Sequence, residues 1–213
     1  MSHKQPLCVS DAIRTRRTTK KFKPEPIPEA TLKELIALTL AAPSSFNLQP
    51  WRIVLIDDLA QREALTKASW NQAQIATAPV TFVFAVSLRG WEKTLETTIK
   101  TASELGAWNE KTAQYFRGSI PGFQDGLAEK QREYAIKDAL IAATHLALAA
   151  ESLGLNSCFM NGWKEDDVKE IIGAKDNPDI AIAVLIPVGY GESKYGHAGR
   201  LPESMTVFRN RLG

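Results

Sequence analysis

The stretch between residues 133 and 153 constrains this chain most, because its pattern is helical and almost every side is apolar. Its polar residues return in pairs seven positions apart, at 137/138, 144/145 and 151/152, and nearly everything between them is Ala, Leu or Ile. Such a wide apolar face is typical of a helix buried in a core or against a partner. Gly154 is expected to end this helix.

Strand and helix patterns surround this central helix. The sequences WRIVLID at 51–57 and VTFVFAVSL at 80–88 are rich in Val, Ile and Phe, and IAIAVLIPVGY at 180–190 predicts a fully buried strand. LNSCFM predicts a short strand after Gly154. Helices are expected after Ser10, before Pro43, after an Asp58 cap, and in the 166–172 region.

Two regions are harder to interpret. Residues 91–130 are polar with scattered aromatic residues, which predicts helices plus a mobile loop around 117–122. The tail after residue 190 is rich in Gly and polar groups, and only MTVF is strand-like. Because strands and helices do not alternate regularly, the sequence predicts an α+β fold in one domain, residues 1–213.

Composition excludes several classes of protein. The 26 basic and 24 acidic residues are mixed along the chain, giving +2, so neither nucleic acid nor a membrane surface is an expected partner. No signal peptide or membrane helix is evident, so we expect a cytoplasmic protein. Two distant cysteines and dispersed histidines argue against a disulfide framework and a metal site. The sequence also lacks the GxGxxG, GxxxxGK[ST], HExxH and GxSxG motifs.

The segment 14–22 concentrates five cations and three hydroxyls at the end of a helix. One interpretation is a solvated basic face. The other is a phosphate site, in which guanidinium groups bind phosphate oxygens beside hydroxyl and backbone N–H donors. The residue pattern alone leaves both open.

The segment 42–51, APSSFNLQPW, lies where a helix ends and a strand begins. An ordinary turn accounts for its Pro, Ser and Asn residues. It accounts less well for Asn47 and Gln49, two residues apart. Their carboxamides each carry a donor and an acceptor and can pair with the N–H and C=O edge of an aromatic heterocycle.

Taken together, AIRTRRTTKKF and AAPSSFNLQPWRIVLI resemble the N-terminal signature of FMN-dependent nitroreductases. The similarity continues at 71–74, at 154–163 and at 199–202, so it spans nearly the whole chain. The region 91–130 matches least.

The resemblance implies a central, mostly antiparallel sheet flanked by helices, with an extended C-terminal tail embracing the partner subunit. It implies a homodimer with FMN at the subunit interface. The wide apolar face at 133–153 and the polar tail fit such a dimer. The implied activity is hydride transfer from NADPH or NADH to nitroaromatic, quinone or related acceptors by a ping-pong mechanism, with the flavin and no side chain as the reactive group.

The resemblance also assigns residues, carried over by position. Those expected to hold FMN are Arg16, Arg17, Thr18, Thr19, Lys20, Ser44, Ser45, Phe46, Asn47, Gln49, Asn71, Gln74, Asn161, Gly162 and Arg200. Those expected to line the substrate pocket are Lys20, Trp70, Phe116 and Phe123.

Two positions depart from several relatives. Gln74 and Ala198 stand where those proteins carry lysine. Less positive charge near flavin N1 predicts a lower reduction potential, unless Lys20 compensates. Lys194 or His197 could supply the missing phosphate contact.

Other chemistry on the same fold stays open, because fold does not fix function. The alternatives are flavin fragmentation, dehalogenation or enal reduction, or a flavin-binding protein without turnover.

Overall fold

The computed structural model describes residues 6–193 and 195–212. The described helices and strands are α1 (Val9–Thr15), α2 (Glu29–Leu40), β1 (Trp51–Ile56), α3 (Leu59–Ala68), α4 (Ala73–Thr77), β2 (Val80–Ser87), α5 (Trp91–Glu104), α6 (Glu110–Gly126), α7 (Gln131–Ser152), β3 (Asn156–Ser157), α8 (Glu165–Ile171) and β4 (Ile180–Gly189). Short 3-10 helices occupy Ser45–Asn47, Ala128–Lys130 and Glu203–Met205.

The strands form one antiparallel sheet in the order β1, β2, β4, β3. Side chains alternate between its faces. Phe82 and Phe84 of β2 pack with α2 and α7 on one face, whereas Val83 and Ala85 pack with α3, α4 and α8 on the other. Both faces are covered, which explains why β2 is buried throughout, β4 is buried almost throughout, and both strands are mostly apolar. The predicted α+β class and the antiparallel sheet flanked by helices are confirmed.

Helix α7 confirms the helix predicted from the 133–153 pattern. Its buried face is mostly alanine, including Ala139, Ala142 and Ala143, and these short side chains let α7 pack closely on α1, α2 and the sheet. Gly154 follows the helix with φ +80°, as expected for a terminating glycine. One member of the polar pairs departs from the pattern, because Asp138 is only 5% exposed.

The prediction of a mobile loop around 117–122 is wrong, because helix α6 continues through this segment. Asn109 caps the helix by accepting the Thr112 N–H at 2.9 Å, and Pro121 lies inside it. Glycine and proline disfavour a helix locally. Burial of Ile120 and Gln124 on its inner face offsets that cost here.

The strand-like pattern of MTVF, residues 205–208, also does not lead to a strand. The tail turns into the 3-10 helix Glu203–Met205, and residues 206–208 pair with no strand among the described residues. A strand requires a neighbouring edge for its hydrogen bonds, and the tail pairs with neither edge of the sheet within the described chain. Near the start, α1 begins at Val9 with Cys8 as the N-cap, two residues before the expected cap Ser10. The Asp58 cap is confirmed by the Gln61 N–H at 2.9 Å.

The close packing of α7 leads to a stability prediction. Replacing Ala142, which is fully buried, by leucine should lower the free energy of unfolding by about 1–3 kcal/mol, because extra methylene groups force α7 away from its neighbours. Urea unfolding monitored by circular dichroism measures the change. Ala60→Leu, the same substitution on the exposed surface of α3, is the control. Equal unfolding free energies for the two variants would contradict the packing argument.

Candidate functional site

The predicted phosphate-binding segment runs as an extended stretch beside β3. Thr18 forms a bridge to Ser157, and the Thr19 N–H donates to the Ser157 carbonyl at 3.1 Å. Thr19 is buried against Gly191, where an added Cβ would lie 3.2 Å from Thr19 Cγ2. Because alternate side chains of an extended segment point to opposite sides, Lys20 projects from the other side.

Lys20 meets a buried thiol on that side. Its Nζ lies 3.9 Å from Cys158 Sγ. Arg16 acts on the same thiol through its charge, and Gln74 through a hydrogen bond. We call Arg16, Lys20, Gln74 and Cys158 the cationic cluster. Within residues 6–193 and 195–212 no carboxylate forms an ion pair with Arg16 or Lys20.

Arg16 retains unused hydrogen-bonding capacity. Its Nη1 is buried and has no hydrogen-bond partner in the described part of the chain. Leaving a buried donor unsatisfied costs about 1–3 kcal/mol, and more when the group is charged. An oxyanion is the complementary ligand, since guanidinium N–H groups fit phosphate and carboxylate oxygens.

The segments around Trp70 and Gly162 adjoin the cationic cluster. Gln74 Nε2 donates to Gln72 Oε1 at 3.3 Å, and Gln72 Nε2 donates to the Gly162 carbonyl at 3.2 Å. Trp70 and Asn71 both have positive φ, +54° and +57°. The Trp70 ring lies so close to Gly162 that an added Cβ would be 2.7 Å from its Cζ3. A side chain at position 162 would therefore displace the indole.

Burial raises the pKa of the Cys158 thiol. The charges of Lys20 and Arg16 and the hydrogen bond with Gln74 lower that pKa, by less than burial raises it. The thiol is therefore protonated at neutral pH, and a protonated thiol is a poor nucleophile. Sequence reasoning did not assign Cys158 to the site, because its apolar neighbours indicated only a core residue.

Residues 44–49 form what we call the left-handed turn. Phe46, Asn47 and Gln49 have φ of +51°, +54° and +48°, and each such residue costs roughly 1–2 kcal/mol in a non-glycine. The Gln49 N–H donates to Ser44 Oγ at 3.0 Å, and Gln49 Nε2 donates to Asn47 Oδ1 at 3.1 Å. The two carboxamides therefore bond each other, which leaves Asn47 Nδ2 and Gln49 Oε1 for a ligand.

Asp138 of α7 anchors this turn. Its carboxylate accepts the Ser45 N–H, 3.2 Å from each oxygen, and the Ser45 hydroxyl at 3.1 Å. Burial raises the pKa of Asp138, and the two Ser45 donors oppose that shift. The sequence pattern placed Asp138 on a polar stripe and missed this contact. No local signal pairs residues so far apart in sequence.

Two of the aromatic residues predicted to line the substrate pocket gather at the left-handed turn. The rings of Phe116 and Phe123 lie 5.7 Å and 5.2 Å from the Phe46 ring between centroids, both nearly edge to face. Trp108 packs against Phe116 at 4.7 Å. Trp70, the third predicted aromatic, lies at the cationic cluster instead.

Other predicted ligands are less closely grouped. Arg17 Nη1 donates to the carbonyls of Arg14 at 2.7 Å and Arg16 at 2.8 Å, so this nitrogen caps α1. Asn71 and Asn161 are exposed beside the cationic cluster segments.

The predicted tail ligands lie elsewhere. Arg200 is exposed, and its Nη1 donates to the Gly199 carbonyl at 2.5 Å. His197 Nδ1 accepts the Gly199 N–H at 2.9 Å. Lys194, the other residue considered for a phosphate contact, lies outside the described residues.

The cationic cluster and the left-handed turn are separate in this chain. No hydrogen bond or ion pair between described residues joins them. Asp138, which anchors the turn, lies in the first half of α7, about 21 Å along the helix axis from the last residue Ser152. Cys158 of the cluster follows that end of the helix. One chain thus presents two half-sites.

A cleft of about 620 Å³ begins at the left-handed turn and runs between β1, α2 and α5. Asn47 and Gln49 border it, as do Ile53 and Leu55 of β1. Along α5 the lining is a row of hydroxyl side chains, Thr94, Thr97, Thr98 and Thr101. The edge of β1 opposite β2 is unpaired among the described strands.

Comparison with known proteins identifies the family. Residues 13–190 match the nitroreductase family, so the chain belongs to it, and the resemblance noted in the sequence is confirmed. A Thermus thermophilus protein named NADH dehydrogenase is 31% identical over 90% of this chain and 91% of its own length. Protein DrgA of Synechocystis is 30% identical over the same shares. An Exiguobacterium sibiricum protein solved in complex with FMN has the same fold, with a TM-score of 0.88 over 98% of this chain and all of its own, at 20% identity.

None of the described helices is long and apolar enough to cross a membrane. Residues 6–193 and 195–212 contain no group of three His, Cys, Asp or Glu side chains that could hold a metal ion.

The burial of Cys158 predicts unequal thiol reactivity. In native protein at pH 7 a disulfide reagent such as DTNB should modify the exposed Cys8 and leave Cys158 intact, because burial both shields the Cys158 thiol and raises its pKa. The Cys8→Ser variant should react only after unfolding, with Cys158→Ser as the matched control. Rapid reaction of native Cys8→Ser would contradict the assignment.

Proposed function

We propose that the protein is an FMN-dependent oxidoreductase that transfers hydride from NAD(P)H to nitroaromatic, quinone or related acceptors by a ping-pong mechanism. The observation that carries the proposal is the cationic cluster. In it the buried Arg16 Nη1 has no hydrogen-bond partner among the described residues, and Lys20 forms no ion pair with any of them. Family membership and the FMN complex of a protein with the same fold support it.

Arg16 of the cationic cluster fits the phosphate end of FMN. Arg16 Nη1 offers a donor that an oxyanion would satisfy, and Thr18 adds a hydroxyl from the same segment. Neither Arg16 nor Lys20 has a competing carboxylate among the described residues. Charge-assisted hydrogen bonds to phosphate are about twice as strong as neutral ones. This segment would therefore contribute much of the binding energy.

The residues around Gly162 fit the flat ring system. The carboxamides of Asn71 and Gln74 would meet the polar edge of the ring, and the backbone N–H groups of Asn161 and Gly162 would lie near N5. Position 162 has no side chain to obstruct a ring, and the Trp70 indole beside it would form an aromatic wall.

Bound FMN would supply the two-electron chemistry, so the protein needs no acid–base pair. The chain's own residues bind the cofactor, orient it and leave one face open. Lys20 would lie between cofactor and substrate, and Phe116 and Phe123 would shape the acceptor pocket. Gln74 contributes no charge, so its replacement by lysine is expected to raise the flavin potential.

We further propose that the working form is a homodimer with FMN at the interface. Two half-sites at different ends of α7 could act on one cofactor if a second copy supplied the left-handed turn. The tail carries exposed apolar side chains, among them Leu201, Met205 and Val207, each at least 60% exposed. An apolar segment of that kind fits the cleft beside the free edge of β1, where it could gain strand hydrogen bonds.

Within this proposal residues 1–213 act as one domain in the cytoplasm. Either nicotinamide is compatible with it. Other reactions on the same fold, such as flavin fragmentation, dehalogenation or enal reduction, would use the same half-sites and would differ in the acceptor pocket. A flavin-binding protein without turnover would bind FMN and resist reduction by both nicotinamides.

The cationic cluster yields a direct test. Arg16→Ala should raise the dissociation constant for FMN about tenfold to hundredfold, because charge-assisted hydrogen bonds to the phosphate are lost. Arg14→Ala is the matched control, since this neighbouring arginine is exposed and pairs only with Asp11 at the surface. Fluorescence quenching of FMN on titration with apoprotein measures both. Equal affinities for the two variants would sink the phosphate assignment.

The tail proposal is tested by deleting residues 200–213. The truncated chain should dissociate to monomers in analytical ultracentrifugation and lose FMN, because the tail contacts and Arg200 are removed together. Val207→Asp should weaken the dimer in the same direction, whereas Glu203→Gln at the exposed start of the 3-10 helix should not. A flavin-loaded monomer of the full chain would contradict the dimer proposal.

A further inference from the structure

The left-handed turn is held by a carboxylate that lies behind it. Asp138 is almost fully buried, and its partners are the backbone N–H and the hydroxyl of Ser45. Inside the turn the Asn47 N–H donates to the Ser44 carbonyl at 3.0 Å. Ser45 is thus the point at which the strained part of the chain is attached to α7.

No cation in the described part of the chain neutralises this carboxylate. None of the ion pairs among the described residues includes Asp138. The small cavity beside it is lined by neutral groups, among them Trp91, Gln124 and Tyr134. Burying an unpaired carboxylate is unfavourable. A chain that keeps one here gains something other than stability from it.

What the chain gains from the Asp138 carboxylate is a fixed conformation of the left-handed turn. Phe46, Asn47 and Gln49 all occupy the left-handed region, and without a fixed attachment the backbone would relax toward ordinary conformations. Relaxation would move the Phe46 ring out of its contacts with Phe116 and Phe123 and turn the Asn47 carboxamide away.

We propose that Asp138 is a positioning residue that fixes the left-handed turn in its cofactor-binding form without itself touching the cofactor. This inference rests on the proposed function, in which the turn forms one wall of the FMN site. It differs from a purely structural role, because FMN affinity should fall further than loss of folded protein accounts for.

The test compares Asp138→Ala, Asp138→Asn and Ser45→Ala with wild type at one protein concentration. Glu133→Gln is the matched control, an exposed carboxylate on the same helix that pairs with Lys137. FMN binding is measured by fluorescence quenching, and far-UV circular dichroism gives the folded fraction.

We expect Asp138→Ala to raise the FMN dissociation constant about tenfold to hundredfold, the size expected when hydrogen bonds to a charged group are lost. Asp138→Asn keeps an acceptor for the Ser45 N–H and should recover most of the affinity. The double variant Asp138→Ala/Ser45→Ala should bind FMN no more weakly than Asp138→Ala alone, because the two side chains share one contact. If Asp138→Ala does not fold, Ser45→Ala decides the matter, since it should raise the dissociation constant relative to Glu133→Gln.

The contrary results are distinct. Wild type that binds FMN while Asp138→Ala binds equally well, or a Ser45→Ala effect that adds fully to that of Asp138→Ala, would overturn the positioning role alone. If Asp138→Ala does not fold, equal FMN affinities of Ser45→Ala and Glu133→Gln would overturn it. If Asp138→Ala has a lower melting temperature and an unchanged FMN affinity, Asp138 only stabilises the fold. Wild type that binds no FMN would refute the proposed function, and this inference with it.

Discussion

The packing of α7 against the sheet is the interaction on which the rest of the structure depends. Its alanine face lets the helix lie close to β2 and β4 while α1 and α2 pack on its flanks. The same helix carries Asp138, which anchors the left-handed turn, and its end at Gly154 directs the chain into β3 and Cys158. Both half-sites are therefore positioned by one buried helix.

Much of the fold could be predicted from sequence, because the signals are local. The buried strand at 180–190 and the helix ending before Gly154 follow from runs of apolar residues and a terminating glycine. Helix α6 could not be predicted, since its glycines and Pro121 favour a loop until burial of Ile120 is counted. The tail segment MTVF has strand propensity, but among the described residues it pairs with neither edge of the sheet.

The candidate site was predictable in its residue types and only partly in its arrangement. The sequence indicated Arg16, Lys20 and Gln74, and these meet around Cys158. It also indicated Phe116 and Phe123, which pack on the turn instead of beside Trp70. The Asp138 contact joins residues 93 apart in sequence, so no pattern of spacing could reveal it. Several features that cost stability lie in these half-sites. They are the Arg16 nitrogen without a partner among the described residues, the buried Asp138 carboxylate, and five of the eight described non-glycine residues with positive φ, namely Phe46, Asn47, Gln49, Trp70 and Asn71.

The central claim is that this member of the nitroreductase family holds FMN and reduces it with a nicotinamide. The most direct measurement is anaerobic stopped-flow spectroscopy of the purified chain, loaded with FMN, after mixing with NADH or NADPH. The account predicts a yellow protein whose flavin absorption bleaches with at least one donor and returns when a quinone or nitroaromatic is added. A colourless chain that does not take up added FMN, or a bound flavin that neither donor bleaches, would contradict it.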